Sequence, residues 1–187
     1  MRVTGGEARG RRLKSSRGGV RPTHSRVRES LFDIWAGRVR GARFADLFAG
    51  VGAVGIEALS RGAANVVFVE AAAGAARAIR ENVAALGFGE RATVVRGEVL
   101  RTLRRRASAG WRFDLAFVDP PYARAGLGEQ ALAVLDEAGL LEPEGCVAWQ
   151  HPRRQEAPGR IGRLALTDTR RFGETTLSFY RRSGEGA

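Results

Sequence analysis

Short apolar runs alternate with amphipathic stretches along almost the whole chain. Residues 44–48, 66–69, 93–95, 113–118 and 146–150 are predominantly apolar and short enough to be buried strands. The stretches between them carry helical spacing. From about Ser25, a predicted helix sets Val27, Leu31, Ile34 and Trp35 on one face and Arg26, Arg28 and Glu29 on the other. Val54, Ala58 and Leu59 mark a second helix that stops at Gly62, and an Ala-rich third spans about 73–86 before Gly87. Leu100 and Leu103 belong to a short basic helix, Leu132 and Leu135 to a last one. Two final β-like runs, 164–167 and 175–180, flank Phe172-Gly173-Glu174 and read as a hairpin. This order predicts a doubly wound α/β fold: a mostly parallel seven-stranded sheet ending in an antiparallel hairpin, with helices on both faces. Such a sheet opens a ligand crevice at the carboxyl ends of its strands.

Composition narrows the setting. The chain has 187 residues, 44% of them hydrophobic, which suits one domain with a real core. No apolar run approaches the roughly 18–20 residues of a membrane span, and the basic start leads into no apolar signal region. The single Cys146 falls in a predicted strand and reads as a small core residue, so a cytoplasmic protein is expected. His24 and His151 stand alone, without metal-ligand spacing, and no metal is expected. Net charge is +11 and uneven: residues 1–43 hold twelve Lys/Arg against three Asp/Glu. A GC-rich coding background could raise the arginine content, but clustering of cations points to a polyanionic partner. Residues 1–22 are therefore read as a basic arm, partly mobile alone, with Arg9, Arg11, Arg12, Lys14 and Arg21 facing nucleic acid. Residues 23–187 form the single domain. Arg104, Arg105 and Arg106 read as a solvated helix face instead.

Candidate chemistry concentrates at the predicted crevice. Gly50, Gly52 and Gly55 make G-x-G-x-x-G after the first strand, and Glu70 ends the second strand about 20 residues later. A dinucleotide dehydrogenase would fit the glycines but leaves Asp46 unexplained and supplies no Lys, Tyr or His pair for hydride chemistry. A class I S-adenosylmethionine methyltransferase fits better. Asp46 then lies near the methionine end, the glycine turn passes close to the cofactor, Glu70 accepts from the ribose hydroxyls, and Glu98 lies near the adenine. Asp119-Pro120-Pro121-Tyr122 ends the fourth strand and defines the reaction class. A carboxylate and a Pro120 carbonyl accept from the two N–H groups of an exocyclic amine, whose delocalised lone pair makes it a poor nucleophile. Held so, the nitrogen aims at the methyl group. The prolines fix the backbone, and Tyr122 offers a ring to a base drawn out of its helix.

The chain resembles the bacterial 16S ribosomal RNA guanine-N2 methyltransferases of the RsmD type over nearly its whole length. The matching stretches are Gly10-Arg11-Arg12-Leu13, Arg21-Pro22-Thr23 with Arg26-Val27-Arg28-Glu29-Ser30-Leu31-Phe32, Asp46-Leu47-Phe48-Ala49-Gly50, Asp119-Pro120-Pro121-Tyr122, and Phe172-Gly173-Glu174-Thr175 with Phe179-Tyr180. The resemblance implies a Rossmann-like class I methyltransferase fold and methyl transfer from S-adenosylmethionine to guanine N2 in 16S rRNA. The substrate would be the small subunit or its assembly intermediate, and the enzyme a monomer. It implies cofactor contacts from Asp46, Phe48, Ala49, Gly50, Gly52, Glu70, Glu98 and Val99, with Arg28 in a block covering the methionine end. Departures from the family pattern stand at Ser25, Asp33, Glu98 and Glu174, and none removes a reacting group. Two alternatives remain open: an N-methyltransferase acting on DNA adenine or cytosine or another RNA, and a non-catalytic RNA-binding assembly factor that keeps the fold.

Overall fold

The computed structural model describes residues 1–14, 25–124 and 126–183. Five parallel strands form most of the sheet: β1 (Arg43–Leu47), β2 (Asn65–Glu70), β3 (Ala92–Arg96), β4 (Phe113–Val118) and β5 (Leu141–Pro152). Three more strands follow, β6 (Arg160–Ile161), β7 (Leu164–Phe172) and β8 (Thr175–Arg182). The order across the sheet is β3-β2-β1-β4-β5-β8-β7-β6, and β8 runs antiparallel to both β5 and β7. The sheet thus has eight strands where seven are expected. The additional β6 is two residues long, too short and too polar to leave a periodic signal. Chain order reverses between β1 and β4, where connections leave for opposite faces and a crevice opens at the strand ends.

The helices α1 (Ser25–Ile34), α2 (Ala53–Ser60), α3 (Ala73–Ala85), α4 (Val99–Ala107) and α5 (Leu127–Glu137) cover both faces. One core packs α1, α2 and α3 around Phe44, Phe68 and Phe117; the other packs α4 and α5 around Leu47, Val69 and Val118. Successive β1 residues point to opposite cores, so a strand buried on both sides needs apolar residues throughout. Asp46 breaks that rule inside β1 at 2% exposure.

Residues 1–14 differ from expectation. They fold back on themselves through an Arg2–Arg12 bridge, with Val3 N–H donating to the Arg11 carbonyl at 3.0 Å. Val3, Ala8 and Leu13 are buried in the α1–α3 core. Full burial of a Val or Leu side chain contributes about 1.5–3 kcal/mol. The fully buried Glu57 of α2 accepts from the Thr4 N–H and hydroxyl, each at 2.8 Å, and from Arg61 Nε at 2.9 Å. Arg28 stands 3.8 Å from the same carboxylate and donates to the Arg2 carbonyl at 2.8 Å and to Met1 Sδ at 3.2 Å. The partly mobile arm is therefore corrected for these residues to a packed segment. Arg28 is corrected from the outer face of its helix to a position 2% exposed. Hydrophobic periodicity cannot reveal an arginine whose charge is compensated by a buried glutamate.

Candidate active site

The glycine turn after β1 is tightly tied. Ala49 N–H donates to the Val69 carbonyl at 3.1 Å and Gly52 N–H to the Ala49 carbonyl at 2.8 Å. Phe48 takes a left-handed φ of 61°, followed by Gly50 at 57° and Gly52 at 79°. A non-glycine residue there costs roughly 1–2 kcal/mol, which the surrounding hydrogen bonds hold in place. Glu70, at the end of β2, completes the turn: Oε2 accepts the Gly50 N–H at 2.8 Å and Oε1 the Ala72 N–H at 2.7 Å.

A cavity of about 610 Å³ opens above this turn, a size suited to a small-molecule cofactor. Phe48, Ala49, Gly50 and Glu70 form its floor with Asp46; Glu98 and Val99 at the start of α4 form one side. Asp119, Pro120, Pro121 and Tyr122 form the opposite side. All four crevice carboxylates thus come together. Asp46 Oδ2 accepts the Gly55 N–H at 2.8 Å, and burial pushes its carboxyl well above the usual range, with Asp119 and Glu70 adding repulsion. Glu98 caps α4, accepting from the N–H of Leu100 at 3.1 Å and of Arg101 at 2.8 Å. Asp119 Oδ1 accepts from Gln150 Nε2 at 2.9 Å, and the Tyr122 hydroxyl lies 3.2 Å from Thr175 Oγ1. Carboxylate acceptors beside the apolar Phe48, Val99, Phe117 and Leu127 match a nucleoside carrying hydroxyls, an exocyclic amine and a cationic centre.

The family profile described as Conserved hypothetical protein 95 matches residues 1–181. The ribosomal RNA small subunit methyltransferase D of Escherichia coli strain K12 is 34% identical over 187 residues, covering 100% of this chain and 92% of that protein. The chain belongs to this RsmD family. A putative rRNA methyltransferase of Bacillus subtilis strain 168, YlbH, is 36% identical over 98% of this chain and 100% of its own. The solved structure of a putative methyltransferase, yhhF, from Escherichia coli superposes with a TM-score of 0.89 at 33% identity, covering 99% of each chain. The mostly parallel sheet with antiparallel final strands is the class I methyltransferase architecture.

Within this RsmD-family chain, two expected cofactor contacts lie off the cavity wall. Gly52 caps the start of α2, and a Cβ there would meet Ile79 and Phe68 at 3.0–3.2 Å, so the turn needs a glycine to pack this closely. Arg28 turns toward the N-terminal segment, as described above. Among the cations expected to face RNA, Arg9, Arg11, Arg12 and Lys14 are all exposed, while Arg21 lies outside the described residues. Arg11 reaches the Ala85 carbonyl at 3.3 Å and Lys14 pairs with Glu81 at 3.2 Å, toward the end of α3 remote from the cavity. Val27, from the block expected over the methionine end, lies on the wall, and the cavity also gains residues that sequence reasoning left without a role: Phe117, Arg124, Leu127, Gln150 and Thr175. Gln150 had a readable signal, a polar residue closing an apolar strand run. Thr175 stood in the family-matching stretch Phe172-Gly173-Glu174-Thr175, with no role attached to it.

Proposed function

We propose that this chain transfers a methyl group from S-adenosylmethionine to the exocyclic N2 of a guanine in 16S ribosomal RNA, acting on the small subunit or an assembly intermediate in the cytoplasm. The observation that carries the reading is Asp119-Pro120-Pro121-Tyr122 on one wall of the cavity that Asp46, Glu70 and Glu98 line on the other. RsmD-family membership supports the rRNA substrate. S-adenosylmethionine, when bound, supplies an electrophilic methyl group on a sulfonium. The protein's part is binding, orientation and charge.

Glu70 and the glycine turn form one hydrogen-bonded unit, so the ribose acceptor and the backbone beneath the cofactor are positioned together. Asp119 and the Pro120 carbonyl accept from the amine and set its lone pair, while Gln150 holds Asp119 and Thr175 holds Tyr122. Tyr122, half-buried, offers its ring face to the extruded base. Guanine N2, like other exocyclic amines, needs no proton removed before attack; the departing proton has Asp119 within reach of the same contact.

The test is methyl transfer from labelled S-adenosylmethionine to small subunits from cells lacking the native enzyme, followed by nucleoside analysis. The expected product is N2-methylguanosine. Label in another nucleoside, or in DNA offered in parallel, overturns the substrate; no transfer by a protein that binds the cofactor overturns catalysis on this particle. Asp119→Ala should reduce turnover by at least about 10²-fold with cofactor affinity nearly unchanged.

A further inference from the structure

The described cations of the N-terminal segment lie toward the far end of α2 and α3, yet other exposed arginines sit at the strand ends next to the cavity. Arg124 is exposed and lies on the cavity wall, three residues after Pro121, whose carbonyl accepts its N–H at 3.0 Å. Arg153 follows β5 directly, and its N–H donates to the Glu174 carbonyl at 2.9 Å, which ties the strand exit to the β7–β8 turn. Arg154 is the next residue, and both are exposed. Arg171 pairs with Thr176 across the hairpin, one step from the Phe172–Thr175 pair, and Thr175 is itself a wall residue. Three of the four cations therefore come from the β5 exit and the hairpin end that meet at Thr175.

Arg170 is paired with Asp168 at 2.9 Å, but Arg124, Arg153, Arg154 and Arg171 have no ion-pair partner among the described residues. The acids nearby in the chain are Glu174 in the turn, Glu156, and Glu129, which accepts from Gln155 at 3.1 Å. Exposed like charges gathered without counterions repel one another, and a phosphate backbone relieves that repulsion while releasing bound counterions.

We propose that Arg124, Arg153, Arg154 and Arg171 form the surface that grips the sugar–phosphate backbone of the RNA strand flanking the target base. The inference rests on the rRNA methyltransferase reading and adds a division of labour to it. α3 has thirteen residues and is about 20 Å long, so a short RNA held at the mouth does not reach Arg9 and Arg11. The mouth serves every substrate; the N-terminal cations serve only large ones.

The experiment compares the wild-type protein with the triple variant Arg153→Ala, Arg154→Ala, Arg171→Ala, and with Arg9→Ala, Arg11→Ala, Arg12→Ala. Each is assayed for methyl transfer on small subunits, and for binding to small subunits, protein-free 16S rRNA and a short RNA spanning the target, over a range of salt. The mouth variant should lose about tenfold or more in kcat/KM on subunits and in affinity for both RNAs. Its slope of log affinity against log salt should fall by about 2, from three lost single-strand contacts. The N-terminal variant should lose affinity on long RNA alone. Lysine replacements at the three mouth positions should keep most of the affinity, and S-adenosylmethionine binding reports that each variant is folded. An unchanged slope in a mouth variant that binds cofactor overturns the inference, as does a loss seen with assembled subunits but not protein-free RNA. A wild-type protein that methylates neither small subunits nor free RNA overturns the functional reading itself, before the variants are compared.

Discussion

Replacing Gly55 by alanine sets two opposing effects against each other in one methyl group. Gly55 lies in the first turn of α2, and alanine there improves intrinsic helix propensity by about 1 kcal/mol. Against this, a Cβ at Gly55 would stand 2.3 Å from Phe68 Cε1, 2.8 Å from Phe68 Cζ and 2.9 Å from Val66 Cγ1. Both neighbours are completely buried in β2, so neither can swing aside. The helix must move off the sheet instead, and overpacking of this kind costs about 1–3 kcal/mol. That movement also stretches the 2.8 Å bond from Gly55 N–H to Asp46 Oδ2. A buried acceptor losing its partner costs about 1–3 kcal/mol more. The net expectation is a loss of about 2–4 kcal/mol, read in urea as a midpoint lowered by about 1–2 M at an m-value of about 2 kcal/mol/M. Cofactor affinity should fall as well, because α2 carries the glycine turn. A variant as stable as wild type, or more so, would refute the reasoning, since propensity alone would then govern the site.

Gln150→Leu removes the donor that holds Asp119, so kcat should fall about tenfold with S-adenosylmethionine affinity unchanged, and Gln150→Asn should recover part of it; a change in cofactor affinity alone would contradict this. His151 is 2% exposed and burial pushes its imidazole below the usual value of 6.5. The unfolded chain therefore binds the extra proton first, and stability present above pH 6.5 is lost as pH falls through the folded value. Urea titrations of His151→Gln should lack that acid-side component; an identical pH profile would count against it. Glu57→Gln removes the buried carboxylate beside Arg28 and Arg61 and should cost about 3–5 kcal/mol. Hydrogen exchange at residues 3–13 should rise before exchange in the sheet; uniform exchange across both would mean the segment is held otherwise.

The alternating apolar runs made the layer order and the parallel strands legible, because burial on both faces leaves a continuous signature in β1, β2 and β4. Site acids were legible for the same reason. Asp46 and Asp119 interrupt or close runs that are otherwise apolar, and the sheet topology then brings them together. What resisted reading were interactions between charged residues distant in the chain. Arg28 and Glu57 each look like surface residues until paired, and β6 is too short for any period to appear. Gly52 and Gly55 belong to one motif, yet neither touches the cavity, because their smallness serves the contact between α2, β2 and α3.

The fold-back of residues 1–14 has a bearing on the order in which the chain assembles. Its hydrogen bonds reach Glu57 and Ser60, 53 and 52 positions away, and Asn82 and Ala85, 68 and 74 positions away. These surfaces exist only once β1, β2 and the helices between and after them have been laid down. A segment synthesised before all of these elements is thus among the last to dock, closing the α1–α3 face like a latch over finished work. Until then Val3, Ala8 and Leu13 travel uncovered, and a nascent chain halted before α3 would expose them.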